Sequence, residues 1–193
     1  MSVLPTIALF ARYPRAGAAK TRLVPLLGEA GAARVHRRLV ERTLGVVQES
    51  GLPFVVWTTG ADHGEFGDWL GSGVPLVEQG DGDLGARLAR VPAPGIVLGA
   101  DVPDLTPAYL LAAASALEAA PVVIGPAEDG GYYLLGFRTH LSFLWQNMPW
   151  GTDGVLAETL ARLAEHDVAY RLLEPLADCD RPEDLDRWPE LLP

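Results

Sequence analysis

The sequence is short of positive charge, contains one cysteine and has no apolar run long enough to cross a bilayer. Its 193 residues carry 15 lysines and arginines against 25 aspartates and glutamates, a net charge of −10. Nucleic acids and anionic lipids attract basic proteins, so this charge disfavours a nucleic-acid or membrane partner. The single cysteine, Cys179, excludes an internal disulfide and a zinc knuckle. Its neighbours Asp178 and Asp180 oppose thiolate formation, which predicts an inert thiol.

A membrane span needs about 20 apolar residues, whereas the most apolar stretch, 109–125, is interrupted by Glu118 and Pro121. No lysine or arginine precedes the apolar residues 3–11, which is unlike a secretory signal, so we expect a cytoplasmic protein. Hydrophobic residues make up 49% of the chain and charged residues 21%, which is typical of globular proteins. The length predicts a single domain over residues 1–193.

Short apolar strands alternate with amphipathic helices along the chain. This order predicts an α/β protein with a mostly parallel central sheet. In such folds ligands bind outside the carboxyl ends of the strands, so the residues that follow each strand are the candidates for a site. The predicted strands cover residues 6–10, 54–58, 76–78, 95–99, 122–124, 132–137 and 168–173. The predicted helices cover residues 30–48, 84–91, 107–119, 154–165 and 182–188.

A basic loop follows the first predicted strand. The first 28 residues contain no acid and four cations, Arg12, Arg15, Lys20 and Arg22. Such a loop suits a nucleoside di- or triphosphate, because each cation neutralises phosphate charge. An ATPase P-loop is excluded, since proline and alanine stand where that motif needs glycine. The charge pattern is equally compatible with a solvated loop that pairs with the acidic C-terminal tail.

The fourth predicted strand leads into a carboxylate, Asp101, preceded by small residues. Mg²⁺ is usually held by one or two carboxylates together with substrate phosphates, so Asp101 is the candidate metal ligand. Asp104 lies just before a predicted helix start, where it favours the helix dipole.

The loop that follows the third predicted strand is rich in glycine and enters a helix. Backbone groups in such a loop can approach a base or sugar closely. The candidate binding residues in this loop are Gln79, Gly80, Asp83 and Gly85. Asp83 is also a candidate helix cap, which would be a purely structural role.

Three later segments have both a functional and a structural interpretation. Residues 129–132, Asp-Gly-Gly-Tyr, fit a ligand site or a tight hairpin turn. Trp150 and Thr152 precede a predicted helix, and Thr152 or Asp153 could cap it. Asp180 and Arg181 precede the last predicted helix, and either could cap it, whereas the functional interpretation makes Asp180 a second metal ligand.

Taken in order, six motifs resemble a bacterial family of GT-A-type glycosyltransferases within the nucleotide-diphospho-sugar transferase superfamily, with members linked to arsenosugar biosynthesis. The motifs are Phe10 to Leu23, Gln79 to Arg87, Gly99 to Asp104, Asp129 to Gly136, Trp150 to Thr152 and Asp178 to Leu185. They are spread over residues 10–185, so the resemblance extends over nearly the whole chain. Arg12 stands where the family often has lysine.

The resemblance implies a Rossmann-like GT-A α/β/α sandwich, a nucleotide-activated donor, and Mg²⁺ or Mn²⁺. It implies that Asp101 holds the metal with Asp180 as second ligand, and that the loop 79–85 lies near the base. Phosphate contacts are expected from Arg12, Arg15, Lys20 and Arg22. Catalytic roles are expected for Asp101, Asp129 and Lys20. Contacts to the substrate or acceptor are expected from Gly130, Gly131, Tyr132, Trp150 and Thr152.

Two reactions fit these residues, and a third, non-catalytic role is also open. The resemblance favours a glycosyltransferase that uses a nucleoside-diphosphate sugar. Many enzymes of that kind carry Asp-x-Asp, however, whereas Asp101 is followed by Val102 and Pro103, an Asp-x-Pro pattern similar to small nucleotidyltransferases. A nucleotidyltransferase that uses an NTP is therefore the alternative. A silent nucleotide-binding domain is the third possibility, and the joint presence of acids and cations disfavours it.

Overall fold

The fold is built on a seven-stranded sheet. The computed structural model describes residues 3–192, so residues 1, 2 and 193 of the predicted domain lie outside it. The strands are β1 (Thr6–Arg12), β2 (Phe54–Thr59), β3 (Leu76–Glu78), β4 (Gly95–Leu98), β5 (Val122–Pro126), β6 (Tyr132–Phe137) and β7 (Tyr170–Leu172). The helices are α1 (Val24–Glu49), α2 (His63–Leu70), α3 (Leu84–Leu88), α4 (Pro107–Ala119) and α5 (Val155–Glu165).

The spatial order of the strands is β3-β2-β1-β4-β6-β5-β7. Within the described residues, β6 alone runs antiparallel to its neighbours, β4 and β5, and the other pairs are parallel. The predicted α/β class with a mostly parallel sheet is confirmed. Because β6 is reversed, its first residues lie at the same edge of the sheet as the carboxyl ends of the parallel strands.

Alternating side chains of the strands enter two separate cores. Ile7 and Leu9 of β1 pack with α1, α2 and α4 on one face, whereas Ala8 packs with α5 and the segment 141–150 on the other. This alternation follows from the two-residue period of a strand. A third cluster joins α1 to the C-terminal segment through residues such as Leu39, Cys179 and Trp188. Burial of each large apolar side chain contributes roughly 1.5–3 kcal/mol.

Two helices differ from the sequence prediction. Helix α1 begins at Val24, before the predicted residue 30, and Gly28 (φ 68°, ψ 169°) interrupts it with a non-helical kink, so the predicted helix corresponds to the part that follows this kink. Helix α2 was not predicted at all. Its two glycines lower helix propensity, but Asp62 and Glu65 form a capping box that stabilises its first turn.

Several predicted elements are shorter in the structure. The predicted helix 84–91 ends at Leu88, and the strand 168–173 is reduced to Tyr170–Leu172. The last predicted helix is a 3-10 turn, Pro182–Asp186. In the part of the chain that the structure describes, none of the helices combines the length and apolar character needed to cross a membrane.

Candidate active site

A cleft of about 850 Å³ opens at the carboxyl ends of β1 and β4, the edge of the sheet where the sequence predicts ligand binding. Its volume is within the range of small-molecule and cofactor sites. Its wall combines charged side chains with apolar and aromatic ones. The charged side chains that line it are Arg12, Lys20, Arg22, Asp83, Arg87, Asp101, Asp129, Asp178 and Asp180.

Lys20 lies among these charged side chains. Its side chain is 4% exposed, and Nζ lies 2.6 Å from Oδ1 of Asp101 and 3.5 Å from Oδ1 of Asp180. It also donates a hydrogen bond of 2.7 Å to the carbonyl of Cys179. Arg22, more exposed, pairs with the other oxygen of Asp180. The two acids expected to bind metal therefore meet on one ammonium group.

The backbone brings these groups together in two places. Lys20 has left-handed φ and ψ (50°, 44°), which turns the basic loop into a short 3-10 helix, Thr21–Leu23. Leu23 then packs into the same cluster as Cys179. The amide of Cys179 donates a 2.8 Å hydrogen bond to the carbonyl of Asp101, so the C-terminal segment is attached directly to the end of β4.

The charges of this group stabilise one another. Burial alone would lower the pKa of Lys20, but Asp101 and Asp180 outweigh burial and raise it. Burial would raise the pKa of Asp101, but the Lys20 ammonium outweighs burial and lowers it. Lys20 and Asp101 are therefore both ionised at neutral pH. Burial, together with the nearby Asp129, raises the pKa of Asp178 to about 6.

The basic loop does not act as one unit. Arg12, the last residue of β1, lines the cleft, and its carbonyl accepts a 2.9 Å hydrogen bond from Nε2 of His36. Arg15, for which a phosphate contact is expected, lies outside the cleft lining. Its guanidinium is held 2.8 Å from Oε1 of Glu65, a residue of the unpredicted helix α2. Two residues of the basic loop, Lys20 and Arg22, do pair with the acidic C-terminal segment, through Asp180, and this pairing lies in the cleft.

Gln79 and Asp83 line the cleft, and both have structural partners. The buried Gln79 amide donates to the carbonyl of Trp57 at 2.8 Å and to that of Ala11 at 3.4 Å, which fixes the loop against β1 and β2. Asp83 caps α3 by accepting a 2.8 Å hydrogen bond from the amide of Ala86. The predicted cap is confirmed, and a ligand contact would have to be made alongside these bonds.

Gly80 and Gly85, for which ligand contacts are expected, lie outside the cleft lining. Gly80 has a positive φ (72°) and lies against the Arg90 side chain. A Cβ at Gly85 would lie 2.1 Å from the carbonyl oxygen of Trp145 and 3.0 Å from Nε1 of Trp150. Gly80 therefore allows the chain to turn with a positive φ, and Gly85 allows α3 to pack closely against the segment 145–150.

The segment 129–132 is both a hairpin connection and part of the cleft. Its residues join the antiparallel strands β5 and β6, and Oδ1 of Asp129 accepts a 2.8 Å hydrogen bond from the amide of Gly131. Asp129, Gly131 and Tyr132 line the cleft, but Gly130 does not. A Cβ at Gly130 would lie 2.2 Å from the carbonyl oxygen of Asp153, so close packing explains this glycine.

Trp150 and Thr152 also line the cleft. The rings of Tyr132 and Trp150 meet edge to face, with centroids 6.5 Å apart. The cap predicted at Thr152 or Asp153 is wrong, because the cap position of α5 is Gly154. The Thr152 hydroxyl instead donates to the carbonyl of Pro149 at 2.9 Å.

Asp180 is not the cap of the C-terminal 3-10 turn. The cap position is Arg181, and Asp184 accepts hydrogen bonds from the amides of Asp180 and Arg181. The Asp180 carboxylate is therefore available to Lys20 and Arg22.

Sequence reasoning missed Arg87, Asp178 and His36. Arg87 lines the cleft, and its Nε donates to the carbonyl of Gly82 at 3.0 Å. Arg87 and Asp178 both lie in motifs that resemble the bacterial family, and this position could have indicated a functional role. His36 also lines the cleft. Burial lowers the pKa of His36. In the sequence it stands out only as a histidine among the arginines of α1, which is a weak indication of function.

The donor set fits a divalent cation of the magnesium or manganese type. Asp101 and Asp180 supply two carboxylates that converge on one point, and Asp101 is open to the cleft. In residues 3–192 no group of three or more His, Cys, Asp or Glu side chains is arranged to hold a metal. Two carboxylates, completed by phosphate oxygens and water, match the way proteins hold Mg²⁺.

Comparison with known proteins assigns the architecture to a class and the chain to a family. Several similar solved structures are nucleotide-diphospho-sugar transferases or nucleotidyltransferases by description, so the fold is of that class. Residues 43–152, more than half of the chain, match the family described as "Uncharacterized protein conserved in bacteria (DUF2064)". The chain belongs to this bacterial family. The matched region contains Asp101 and Asp129 but not Lys20 or Asp180.

Three solved structures illustrate the similarity. A "putative nucleotide-diphospho-sugar transferase" of Desulfovibrio desulfuricans G20 is 27% identical with a TM-score of 0.88, over 94% of this chain and 84% of that one. Rv0371c of Mycobacterium tuberculosis H37Rv, in complex with manganese, is 18% identical with a TM-score of 0.60, over 97% and 99%. A CMP:2-keto-3-deoxy-manno-octonic acid synthetase complexed with CTP is 17% identical with a TM-score of 0.56, over 98% of each chain. Among curated proteins, none matches the chain.

Proposed function

We propose that this protein is a metal-dependent transferase that uses a nucleotide-activated donor, and that the donor is a nucleoside-diphosphate sugar. The observation that carries the proposal is the convergence of Asp101 and Asp180 at the end of β4, beside the cations Arg12 and Arg22. The 27% identical relative, described as a nucleotide-diphospho-sugar transferase, supports the choice of donor.

The cleft offers different chemistry to the two ends of such a donor. Arg12, Arg22 and Arg87 line the cleft, and their charge can neutralise a diphosphate. Leu84, Leu88 and Trp150 also line it, and they suit the flat or apolar faces of a base or sugar. The arginines would thus bind the diphosphate of such a donor, and the apolar side chains would contact its base or sugar.

Each side chain then has a role in the transfer. Asp101 and Asp180 would hold the divalent ion, which supplies stabilisation of the negative charge on the departing diphosphate. The Gly131 amide orients the carboxylate of Asp129 on the cleft wall, where it can accept the proton of an acceptor hydroxyl as a general base. Tyr132 and Trp150 would position the acceptor against the sugar.

A second candidate is nucleotidyl transfer from an NTP. The observation that favours it is the single acid at the end of β4, since Val102 and Pro103 follow Asp101. Both reactions place a metal on phosphate oxygens, but they break different bonds. Attack on the sugar carbon releases an NDP, whereas attack on the α-phosphorus of an NTP releases pyrophosphate.

The released product distinguishes the two candidates. We would incubate the protein with Mg²⁺ or Mn²⁺ and a panel of NDP-sugars, and in parallel with each NTP and a pool of phosphorylated small molecules. We expect NDP from an NDP-sugar, slowly where water replaces the acceptor. Pyrophosphate from an NTP, with no NDP from any sugar donor, would replace the first proposal by the second.

The role of Asp101 is tested with a matched pair of variants. Asp101→Asn should lower turnover about 10²–10³-fold, the usual effect of removing one group that stabilises transition-state charge. Asp104→Asn is the control, because Asp104 lies three residues away, outside the cleft lining, and its Oδ1 accepts a 2.9 Å hydrogen bond from Trp188 that asparagine can also accept. Equal turnover of both variants would remove Asp101 from the site.

A further inference from the structure

Lys20 is the only lysine in the chain. The other 14 of the 15 basic residues are arginines, so an ammonium group occurs in a side chain only at this position. Arginine and lysine are not equivalent, since an ammonium is a compact point charge with three donors and a guanidinium is a planar fork. An ammonium can occupy the small space between two carboxylates and a carbonyl, which a guanidinium would not fit.

Three oxygen atoms of the protein surround the Lys20 ammonium. The carbonyl of Cys179, Oδ1 of Asp101 and, at a longer distance, Oδ1 of Asp180 surround Nζ. An ammonium has three N–H groups and no more. In this arrangement the Lys20 ammonium is directed at oxygen atoms of the protein itself, whereas the sequence predicts a contact with phosphate. It is instead the counter-ion of the two acids assigned to the metal.

The charges around the two acids are already balanced. Asp101 and Asp180 carry two negative charges, and Lys20 and Arg22 carry two positive ones. A divalent ion bound by both carboxylates would lie against the Lys20 ammonium, in a part of the cleft where burial weakens screening by water. The ammonium and the ion therefore cannot both keep these partners at low energy.

We propose that Lys20 is the resident cation of the metal site, and that a divalent ion binds Asp101 and Asp180 by displacing its ammonium group. This inference rests on the metal dependence in the proposed function. The ammonium holds the two carboxylates together before metal arrives and lowers the affinity of the empty protein for metal. Once displaced, its three donors become available to the phosphates of the donor substrate.

The first test is direct binding of Mn²⁺ at pH 7.5 without nucleotide, followed by the electron paramagnetic resonance of free Mn²⁺. We expect Lys20→Met to bind Mn²⁺ about tenfold more tightly than the wild type, or better, which corresponds to about 1.4 kcal/mol or more. Arg22→Met is the matched control, and should gain less because Arg22 contacts only Asp180 and is mostly exposed. Equal or weaker binding by Lys20→Met, or no binding by either protein, would overturn the proposal.

The second test uses the wild-type chain, and so does not depend on folding of the variant. Reductive methylation modifies lysines and blocks tryptic cleavage, so the peptide 16–22 reports Lys20 alone. Because the Lys20 side chain is 4% exposed, we expect slow labelling without metal and several-fold faster labelling at saturating Mn²⁺. The amino terminus of the same chain is the internal reference.

Persistent protection of Lys20 at saturating Mn²⁺ would refute displacement. Both measurements are made without donor or acceptor, so a protein that shows the displacement but releases no NDP would leave this inference standing while the proposed reaction fails. A protein that releases NDP while Lys20 stays protected would show the reverse.

Discussion

The substitution Gly85→Ala separates a packing role from a ligand-binding role at one position. Gly85 lies in α3, between the cleft residues Asp83 and Arg87, and a glycine there could let a nucleotide approach the backbone. The structure indicates packing instead, because a Cβ would lie 2.1 Å from the carbonyl oxygen of Trp145. Alanine should therefore destabilise the protein whether or not a ligand is present.

The magnitude follows from what the new methyl group meets. Inserting a methyl group into a well-packed site costs about 1–3 kcal/mol, and a backbone atom yields less readily than a flexible side chain. We expect about 3 kcal/mol of lost stability, which for a chain of this length is a fall in Tm of roughly 6–12 °C. Gly45→Ala is the matched control, since Gly45 also lies in a helix but a Cβ there meets nothing within 4 Å.

Urea unfolding and thermal melts of the two variants measure the effect directly. We expect Gly45→Ala to be more stable than the wild type by about 0.5–1 kcal/mol, because alanine has less freedom to lose in a helix. Gly85→Ala should bind nucleotide in proportion to its folded fraction. A Gly85→Ala protein with unchanged stability and lost nucleotide affinity would refute the packing argument.

Three further predictions concern other parts of the chain. Cys179 is fully buried, and burial raises the pKa of its thiol to about 11. The thiol should therefore resist thiol reagents at pH 8 until the protein unfolds, and stoichiometric labelling of the native chain would contradict this. Asp83→Ala should lose about 1 kcal/mol of stability in urea, whereas Asp83→Asn, which can still cap α3, should lose little. Arg162→Met removes the donors to the carbonyls of Phe143, Gln146 and Asn147, and should lower the free energy of unfolding by about 2–3 kcal/mol and speed hydrogen exchange in residues 142–150. Unchanged exchange in these residues would show that the three hydrogen bonds do not hold the segment in place.

The parts of the fold that follow local rules were predicted well. β1 and β4 are continuous apolar runs, and a buried parallel strand has that pattern in sequence. α2 was not predicted because Gly64 and Gly67 lower the helix propensity of its sequence. Its start depends on a capping box in which the side chains of Asp62 and Glu65 each accept a hydrogen bond from the backbone amide of the other. The reversal of β6 was indicated only by the hairpin interpretation of residues 129–132, since an apolar strand itself carries no mark of its direction.

The candidate site shows the same division between local and distant information. Asp101 could be selected from sequence because its position after a strand is a local property. The partners of Lys20 could not, because Cys179 lies 159 residues away and contributes a backbone carbonyl that any residue could supply. The ion pair of Arg15 could not be predicted for a similar reason, since its partner, Glu65, belongs to the helix that was not predicted.

The attachment of the C-terminal segment to Lys20 has a consequence for biosynthesis. Chains grow from the amino terminus at about 5–20 residues per second, so Lys20 precedes its partner Cys179, 159 residues later, by roughly 8–30 s. During that interval β1, which carries Arg12, and β4, which Asp101 follows, can already form, but the ammonium has neither the Cys179 carbonyl nor Asp180. Lys20, whose side chain is 4% exposed in the folded protein, is therefore accessible to solvent until residues 179 and 180 have been made, and only then can this wall of the cleft be completed.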